Sequence, residues 1–279
     1  MTRAFSPKTL AEAQEFLARG ATKIAGATDL MVADRVSGRE HAWILNVLGI
    51  AELQGIRVDE TGLNIGAAST FAEIRRSADV ALHALALIEA AATIGAAQIQ
   101  NRATIGGNIA NASPVGDSLP ALLALDAQIV LSGPQGRRTV PYEAFHVRYH
   151  KTVLEAEELI ERVVIPLPAP KVQAFRKVGT RAAQAISKVV IGLGASRRGD
   201  MLRNVRLAMG GVAEIPIRLR QVEAIIESEP LSRELADAAA AVVENTISPI
   251  DDVRSTASYR RHVAGQLVRR LLLDLLRAF

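Results

Sequence analysis

The sequence contains no cysteine among its 279 residues. It can therefore form no disulfide, and it offers neither a thiolate nucleophile nor a zinc–thiolate ligand. It also cannot hold a cysteine-ligated iron–sulfur cluster of its own.

Aromatic residues are scarce as well, at 4% of the chain. The net charge is only +4, and acidic residues alternate with basic ones throughout the sequence. A dedicated nucleic-acid surface needs stacking platforms and a clustered basic face. Composition therefore argues against a nucleic-acid partner.

Long apolar runs are missing too. The most apolar window, residues 81–97, is interrupted by His83, Glu89 and Gly95 and is too short to span a membrane. No apolar run follows a basic stretch at the N-terminus, as a secretory signal would require. We expect a cytoplasmic protein without a membrane span.

Several motifs that carry chemistry are also absent. The dinucleotide-binding motif Gly-x-Gly-x-x-Gly is absent, because Gly192-Leu193-Gly194 has Arg197 where the third glycine would stand. The phosphate-binding P-loop and the hydrolase motif Gly-x-Ser-x-Gly are absent as well. His146 and His150 have metal-like spacing without an acidic partner, so no metal site is predicted. No catalytic acid–base pair is visible either. Such a chain fits a protein whose chemistry belongs to a bound cofactor.

A length of 279 residues predicts two or three domains. Hydrophobic residues make up 49% of the chain, which is enough for these domains to have apolar cores. The proline-rich stretch 166–170 is the best linker. In the last helix, Val263, Leu267, Leu271 and Leu275 form an apolar stripe. The neighbouring arginine pairs 260–261 and 269–270 are predicted to lie on solvated faces.

The stretch from Arg102 to Pro120 is predicted to be a loop around which the rest is organised. Gly106-Gly107 interrupts regular structure and allows a close backbone approach. Asn108 and Asp117 add short polar side chains that bond backbone or ligand. Two readings remain open, a ligand-binding loop and an ordinary surface loop with turn chemistry.

A second glycine turn follows the short strand at residues 21–25. Gly26-Ala27-Thr28-Asp29 leads from that strand into a helix start, an arrangement that directs backbone N–H groups at one point and suits a phosphate. The alternative is that Thr28 or Asp29 merely caps the helix.

Together these two motifs resemble the FAD-binding subunit of the molybdenum hydroxylases, the family that includes xanthine dehydrogenase and the medium subunit of aerobic carbon monoxide dehydrogenase. The resemblance lies in Ile24-Ala25-Gly26-Ala27-Thr28-Asp29-Leu30 and in the long segment from Gln98 to Asp117. It covers essentially the whole chain. It implies an α+β fold with FAD-binding subdomains at residues 1–55 and 56–168 and a C-terminal flavoprotein α+β domain at residues 169–279.

The resemblance also implies FAD as cofactor and a set of cofactor-binding positions. Residues of the first loop match a segment that holds the FAD pyrophosphate, Thr104 matches a hydroxyl in the phosphate region, and Lys177 matches a basic residue at the flavin. The implied positions are Lys23, Ile24, Ala25, Gly26, Ala27, Thr28, Asp29, Leu30, Thr104, Gly106, Gly107, Asn108, Asp117, Ile160 and Lys177. No catalytic side chain and no metal ligand are implied.

The first loop departs from the family pattern at one position. Ala27 stands where the family usually has a second glycine. A methyl group is expected to be tolerated there only if φ is negative.

The implied function is electron transfer in a heterotrimer. Similar subunits take electrons from a molybdopterin-binding large subunit, through a small subunit with two [2Fe–2S] clusters, and pass them to NAD or another acceptor. Two alternatives remain: a stand-alone FAD-dependent oxidase, and a non-redox nucleotide-binding protein.

Overall fold

Three sheet-based units follow one another along the chain. The computed structural model describes residues 2–278. Helices and sheets are both abundant, and most strand pairs are antiparallel, so the predicted α+β class is confirmed.

The first unit is a small parallel sheet with strand order β1-β3-β2. Helix α1 follows a Thr9 N-cap and buries Leu10, Ala13 and Leu17 at helical spacing against it. The elements are β1 (Arg3–Phe5), α1 (Leu10–Leu17), β2 (Thr22–Ile24), α2 (Leu30–Ser37) and β3 (Trp43–Asn46), followed by 3₁₀ turns at Val47–Gly49 and Ala51–Leu53.

The second unit is built on an antiparallel sheet of order β4-β5-β10-β6-β7. Its strands are β4 (Ile56–Asp59), β5 (Gly62–Gly66), β6 (Gln128–Gly133), β7 (Gly136–Pro141) and β10 (Leu159–Ile165), with a separate hairpin of β8 (His146–Arg148) and β9 (Lys151–Thr152). Its helices are α3 (Phe71–Arg76), α4 (Ala78–His83), α5 (Leu85–Thr93), α6 (Ala97–Gln100), α7 (Ile105–Asn111) and α8 (Ser118–Ala124).

The stretch from Arg102 to Pro120 is not the continuous loop that the sequence predicts. Helix α7 starts after Thr104, whose hydroxyl accepts from the Gly107 backbone N–H at 3.1 Å. Ile105 and Ile109, one helical turn apart, are both fully buried. Gly106 is required because α7 lies close to the end of β5: a Cβ there would be 2.7 Å from Ala67.

The third unit is an antiparallel sheet of order β11-β12-β13-β14 with three helices after it. Apolar side chains of both layers form one core. The elements are β11 (Val172–Gly179), β12 (Ser187–Arg198), β13 (Met201–Gly210), β14 (Ile217–Arg218), α9 (Arg220–Ser228), α10 (Arg233–Thr246) and α11 (Ala257–Ala278).

Helix α8 of the second unit rests directly on strand β12 of the third. A Cβ at Gly192 would lie 2.6 Å from the Pro120 carbonyl oxygen, and one at Gly194 would lie 2.3 Å from that of Ala124. These glycines therefore serve backbone packing. The contact fixes the start of α8, which carries Asp117, against the C-terminal sheet.

The prediction for the first arginine pair is wrong at Arg260, which is only 2% exposed, whereas Arg261 is exposed. Arg260 begins the row of α11 that continues through Ala264 and Val268, both fully buried. Its charge is compensated by Asp252, whose carboxylate accepts two hydrogen bonds from it.

Candidate functional site

One cleft of about 1160 Å³ runs between the three units. All fifteen positions that the sequence assigned to a cofactor line it. They come from four separate segments of the chain, namely residues 23–30, 104–117, Ile160 and Lys177. Residues 94–95 and 99, Tyr149 and His150 of the hairpin, and residues of the C-terminal unit that include Ser187, Gly211 and Arg260 also line it.

One end of the cleft, called the Gly26 end, is formed by residues 23–30. Strand β2 stops at Ile24 and helix α2 starts at Leu30, so the turn between them presents a helix N-terminus to the cleft. Within residues 2–278, the backbone N–H groups of residues 27–29 have no protein acceptor. Uncommitted amides at a helix start form a binding site for an anion such as a phosphate.

Glycine is required in this turn because another backbone segment comes very close. A Cβ at Gly26 would lie 1.9 Å from the carbonyl oxygen of Arg102. The first unit therefore touches the second just before Thr104. By contrast, a Cβ at Gly107 would meet only the Thr104 hydroxyl, at 3.0 Å. Gly26 thus serves backbone packing, whereas the open side of Gly107 leaves room for a ligand to approach the chain closely.

Ala27 does not have the backbone conformation expected for an alanine. Its φ is +63°, in the left-handed region that favours glycine. A Cβ there costs about 1 kcal/mol. The turn thus keeps its tight geometry at the expense of local strain, and the expected negative φ is wrong.

Lys23 connects the first unit to the second. Its Nζ donates to the backbone carbonyls of Glu158 at 2.8 Å and Glu155 at 3.3 Å. Burial lowers the pKa of Lys23 below its usual value, while the charge of Glu158 opposes that shift.

The other end, called the Asp117 end, is a side-chain network of Thr93, Asp117, Lys177 and Ser187. The Asp117 carboxylate accepts from Lys177 Nζ at 2.6 Å, from Ser187 Oγ at 2.5 Å and from Thr93 Oγ1 at 3.0 Å. Lys177 Nζ also donates to the Thr93 carbonyl oxygen at 3.0 Å. Each polar group of this buried cluster thus has a partner.

The Asp117 end is also a charged pair shielded from water. Asp117 is 6% exposed and the Lys177 side chain 11%. Burial raises the pKa of Asp117, whereas Lys177 and the hydroxyl donors counteract that rise. The Lys177 ammonium is therefore a paired charge. Asp117 precedes α8, but its side chain makes no capping bond among the described residues, since its oxygens are engaged elsewhere.

Apolar and amide groups form the walls between the two ends. Ile160 of β10 is 6% exposed and faces the cleft beside Leu159 and Ile94. Asn108 accepts at Oδ1 from Ser118 Oγ at 2.6 Å, which ties α7 to the start of α8. A cleft that combines uncommitted amides, a charged pair and apolar wall residues suits a ligand that has both phosphate charge and an apolar ring system.

Several residues that hold the site together were not predicted from the sequence. Thr93 and Ser187 were not among the expected positions, although both hold Asp117. The His150 ring Nδ1 lies 2.6 Å from the Asn111 carbonyl oxygen, which ties the β8–β9 hairpin to the end of α7. The spacing of His146 and His150 was the one metal-like signal at His150, and without an acidic partner it predicted no metal site. Within residues 2–278, no group of three acidic or histidine side chains is placed to hold a metal ion.

Comparison with known proteins agrees with this geometry. The model of the FAD-binding domain in molybdopterin dehydrogenase matches residues 1–168. The model of the C-terminal domain of the CO dehydrogenase flavoprotein matches residues 173–275.

This chain belongs to the FAD-binding medium subunits of the molybdenum hydroxylases. It is similar to the nicotinate dehydrogenase FAD-subunit of Eubacterium barkeri, with 31% identity covering 98% of this chain and 95% of the relative. It is also similar to the xanthine dehydrogenase FAD-binding subunit of Escherichia coli O157:H7, with 33% identity covering 95% and 92%. A structure of carbon monoxide dehydrogenase from Hydrogenophaga pseudoflava shares 29% identity, covers 96% of this chain and 95% of that one, and has a TM-score of 0.92.

Membership of the family confirms the predicted two-subdomain FAD-binding fold with its C-terminal domain, and it makes the chain an oxidoreductase subunit with FAD as cofactor. The cleft fits that cofactor, because the open backbone at Gly107, the uncommitted amides and apolar wall residues such as Ile160 match a dinucleotide with a diphosphate and a fused ring. Among residues 2–278, no helix is long and apolar enough to cross a membrane.

Proposed function

We propose that this chain is the FAD-carrying electron-transfer subunit of a heterotrimeric molybdenum hydroxylase. It accepts electrons from a small subunit with [2Fe–2S] clusters, which receives them from a molybdopterin-binding large subunit. It passes them to NAD or to another external acceptor. FAD, when bound, supplies the redox chemistry, because it accepts and releases electrons within one cofactor.

The observation that supports this most is the convergence of fifteen positions from four segments on one cleft. In this proposal the amides of the Gly26 end hold the FAD diphosphate, the glycine backbone of α7 gives it close approach, and Ile160 covers the apolar ring. Asp117 and Lys177 sit at the flavin, where their buried pair sets the local charge and excludes water.

The chain's composition supports the proposal that FAD and the iron–sulfur clusters are bound by different subunits. It holds no cysteine, so iron–sulfur ligands have to come from another subunit. We also propose that residues 1–55 and 56–168 are the two FAD-binding subdomains and residues 169–279 the C-terminal domain. A cytoplasmic location stays a prediction from the sequence.

The first experiment measures FAD binding by titration of the purified chain with Gly107→Val and with the control Ala241→Val. Gly107 faces the cleft, and its Cβ would contact only a hydroxyl, so the variant is expected to fold. It should lose FAD, whereas the control on exposed helix surface should keep it. FAD binding equal to wild type in Gly107→Val would contradict the assignment of the cleft.

The second experiment tests the electron-transfer role with the complex. The chain is co-expressed with candidate large and small subunits, and the flavin absorbance is followed after a large-subunit substrate is added. Bleaching only in the assembled complex supports the proposal. Bleaching of the isolated chain by an organic substrate would favour a stand-alone oxidase, and no bleaching in either would favour a non-redox role.

A further inference from the structure

Arg260 is a buried side chain that joins three segments of the C-terminal unit. Its Nη2 donates to both carboxylate oxygens of Asp252 at 2.9 Å. Its Nη1 donates to the backbone carbonyls of Lys188 at 2.5 Å and of Gly211 at 3.2 Å. A planar guanidinium held at both ends in this way has a fixed position.

The backbone around this guanidinium is shaped to receive it. Gly211 has a φ of +79°, and a Cβ there would lie 2.4 Å from the Lys188 carbonyl oxygen and 3.3 Å from Arg260 Nη1. The start of β12 and the end of β13 are thus drawn together around one side chain, and only glycine fits at the crossing.

Both backbone groups that Arg260 holds lead to the turn that carries Asp117. Lys188 follows Ser187, whose hydroxyl donates to Asp117 at 2.5 Å. The Gly211 backbone N–H donates to the carbonyl oxygen of Pro114 at 2.8 Å, within the same turn. Two hydrogen bonds and one peptide link therefore connect Arg260 to Asp117 through Ser187. Two hydrogen bonds connect it to Pro114, three residues before Asp117.

We propose that Arg260 is a positioning residue for the Asp117 end of the cleft. Through Ser187 and Pro114 it fixes the place of the Asp117 carboxylate and, with it, that of the Lys177 ammonium. Arg260 is 2% exposed and borders the cleft, but its Nη1 and Nη2 are engaged by Lys188, Gly211 and Asp252, so the guanidinium is placed to hold other residues in position. The inference rests on the proposed function, which assigns Asp117 and Lys177 to the FAD site.

Removal of the guanidinium should weaken FAD binding in addition to any decrease in the stability of the fold. The Lys188 and Gly211 carbonyls would lose a charged donor, and Ser187 and Pro114 would then be free to shift. Hydrogen bonds to charged groups contribute enough that we expect FAD to bind about tenfold more weakly in Arg260→Gln. Arg260→Lys keeps a charge near Asp252 and should recover part of that loss.

The test measures the dissociation constant of FAD and the flavin absorption maximum for the full chain, with unfolding temperatures recorded in parallel. The variants are Arg260→Gln, Arg260→Lys, Asp117→Asn and the double variant Arg260→Gln/Asp117→Asn. The matched control is Arg261→Gln, the neighbouring exposed arginine. We expect the control to equal wild type, and Arg260→Gln to shift the absorption maximum in the same direction as Asp117→Asn.

The double variant decides how Arg260 acts. If Arg260 acts through Asp117, the two losses in FAD affinity are not additive. The double variant then binds FAD about as tightly as the single variant that has the lower affinity. Additive losses, or a lower unfolding temperature with unchanged FAD affinity and spectrum, would overturn the inference. Should Arg260→Gln not fold, the same comparison with Arg260→Lys decides.

Failure of the proposed function gives a different result. If Asp117→Asn binds FAD as wild type does, the assignment of the Asp117 end to the cofactor is wrong. If Asp117→Asn weakens FAD binding and neither Arg260 variant does, only the role of Arg260 is wrong.

Discussion

The two ends of the cleft are built in opposite ways. The Gly26 end consists of eight consecutive residues and offers mainly backbone groups; among the described residues of its helix α2, none is buried. The Asp117 end consists of buried side chains from four distant positions, each held by the others. One end is made by local conformation and the other by tertiary packing.

This difference predicts how each end responds to change. At the Gly26 end the backbone conformation decides binding, so a substitution acts through the steric clash or the strain that an added or removed methyl group causes. At the Asp117 end the identity of each charge and donor matters, because an unpaired buried charge is costly. The following variants test that distinction, beginning with the largest expected effect.

Lys177→Met should cause the largest loss of stability. It leaves the Asp117 carboxylate buried without its cation, and we expect the free energy of unfolding to fall by about 3 kcal/mol in urea titrations. The control Lys177→Met/Asp117→Leu replaces both charges and should regain most of the loss. A single variant as stable as wild type would show that the pair does not hold this end together.

Gly26→Ala should be the most damaging small change at the other end. Its methyl group would meet the Arg102 carbonyl oxygen at 1.9 Å, so we expect a loss of about 2 kcal/mol and much weaker FAD binding. Gly38→Ala, in open space at the end of α2 with a φ of +66°, should cost about 1 kcal/mol and leave FAD binding unchanged. Equal effects of the two variants on FAD titrations would refute the close-approach argument.

Ala27→Gly should stabilise the chain. Glycine relieves the left-handed strain at φ +63°, and we expect a gain of about 1 kcal/mol in chemical unfolding. Ala33→Gly, within helix α2, serves as the control and should cost about 1 kcal/mol. If Ala27→Gly also lowered the free energy of unfolding, the left-handed φ of Ala27 would not be a source of strain.

A pH titration gives the smallest effect. Because burial lowers the pKa of Lys23, its ammonium loses its proton below the usual 10.5, and the attraction to a diphosphate is then lost. FAD affinity should therefore fall about threefold as pH rises through that lowered pKa. Lys23→Met should remove the pH dependence, and Lys171→Met, at an exposed lysine just after the linker, should keep it.

In the same titration, the free energy of unfolding of the FAD-free chain should rise with pH while FAD affinity falls. The unfolded chain keeps the lysine proton to higher pH than the folded chain does. The cost of burying the Lys23 charge is present below the lowered pKa and disappears as pH rises toward 10.5. A parallel change of affinity and stability would mean that another group titrates.

Local patterns predicted much of the fold correctly. The turn before α2 follows from a short strand, a glycine and a helix start, and β2 and α2 lie on either side of it. The predicted central loop was wrong because Gly106-Gly107 was interpreted as a break. The glycines are part of α7, where the Thr104 cap and the buried Ile105 and Ile109 outweigh their low propensity.

The sequence by itself determined the glycine turn and, through the resemblance of two motifs, the cofactor family, since these depend on short local segments. Only the tertiary structure decided that Thr93, Lys177 and Ser187 meet at Asp117 and that Arg260 is buried behind them. Such contacts join residues far apart in the chain. They form because α8 rests on β12 at bare glycines, and no local pattern encodes that approach.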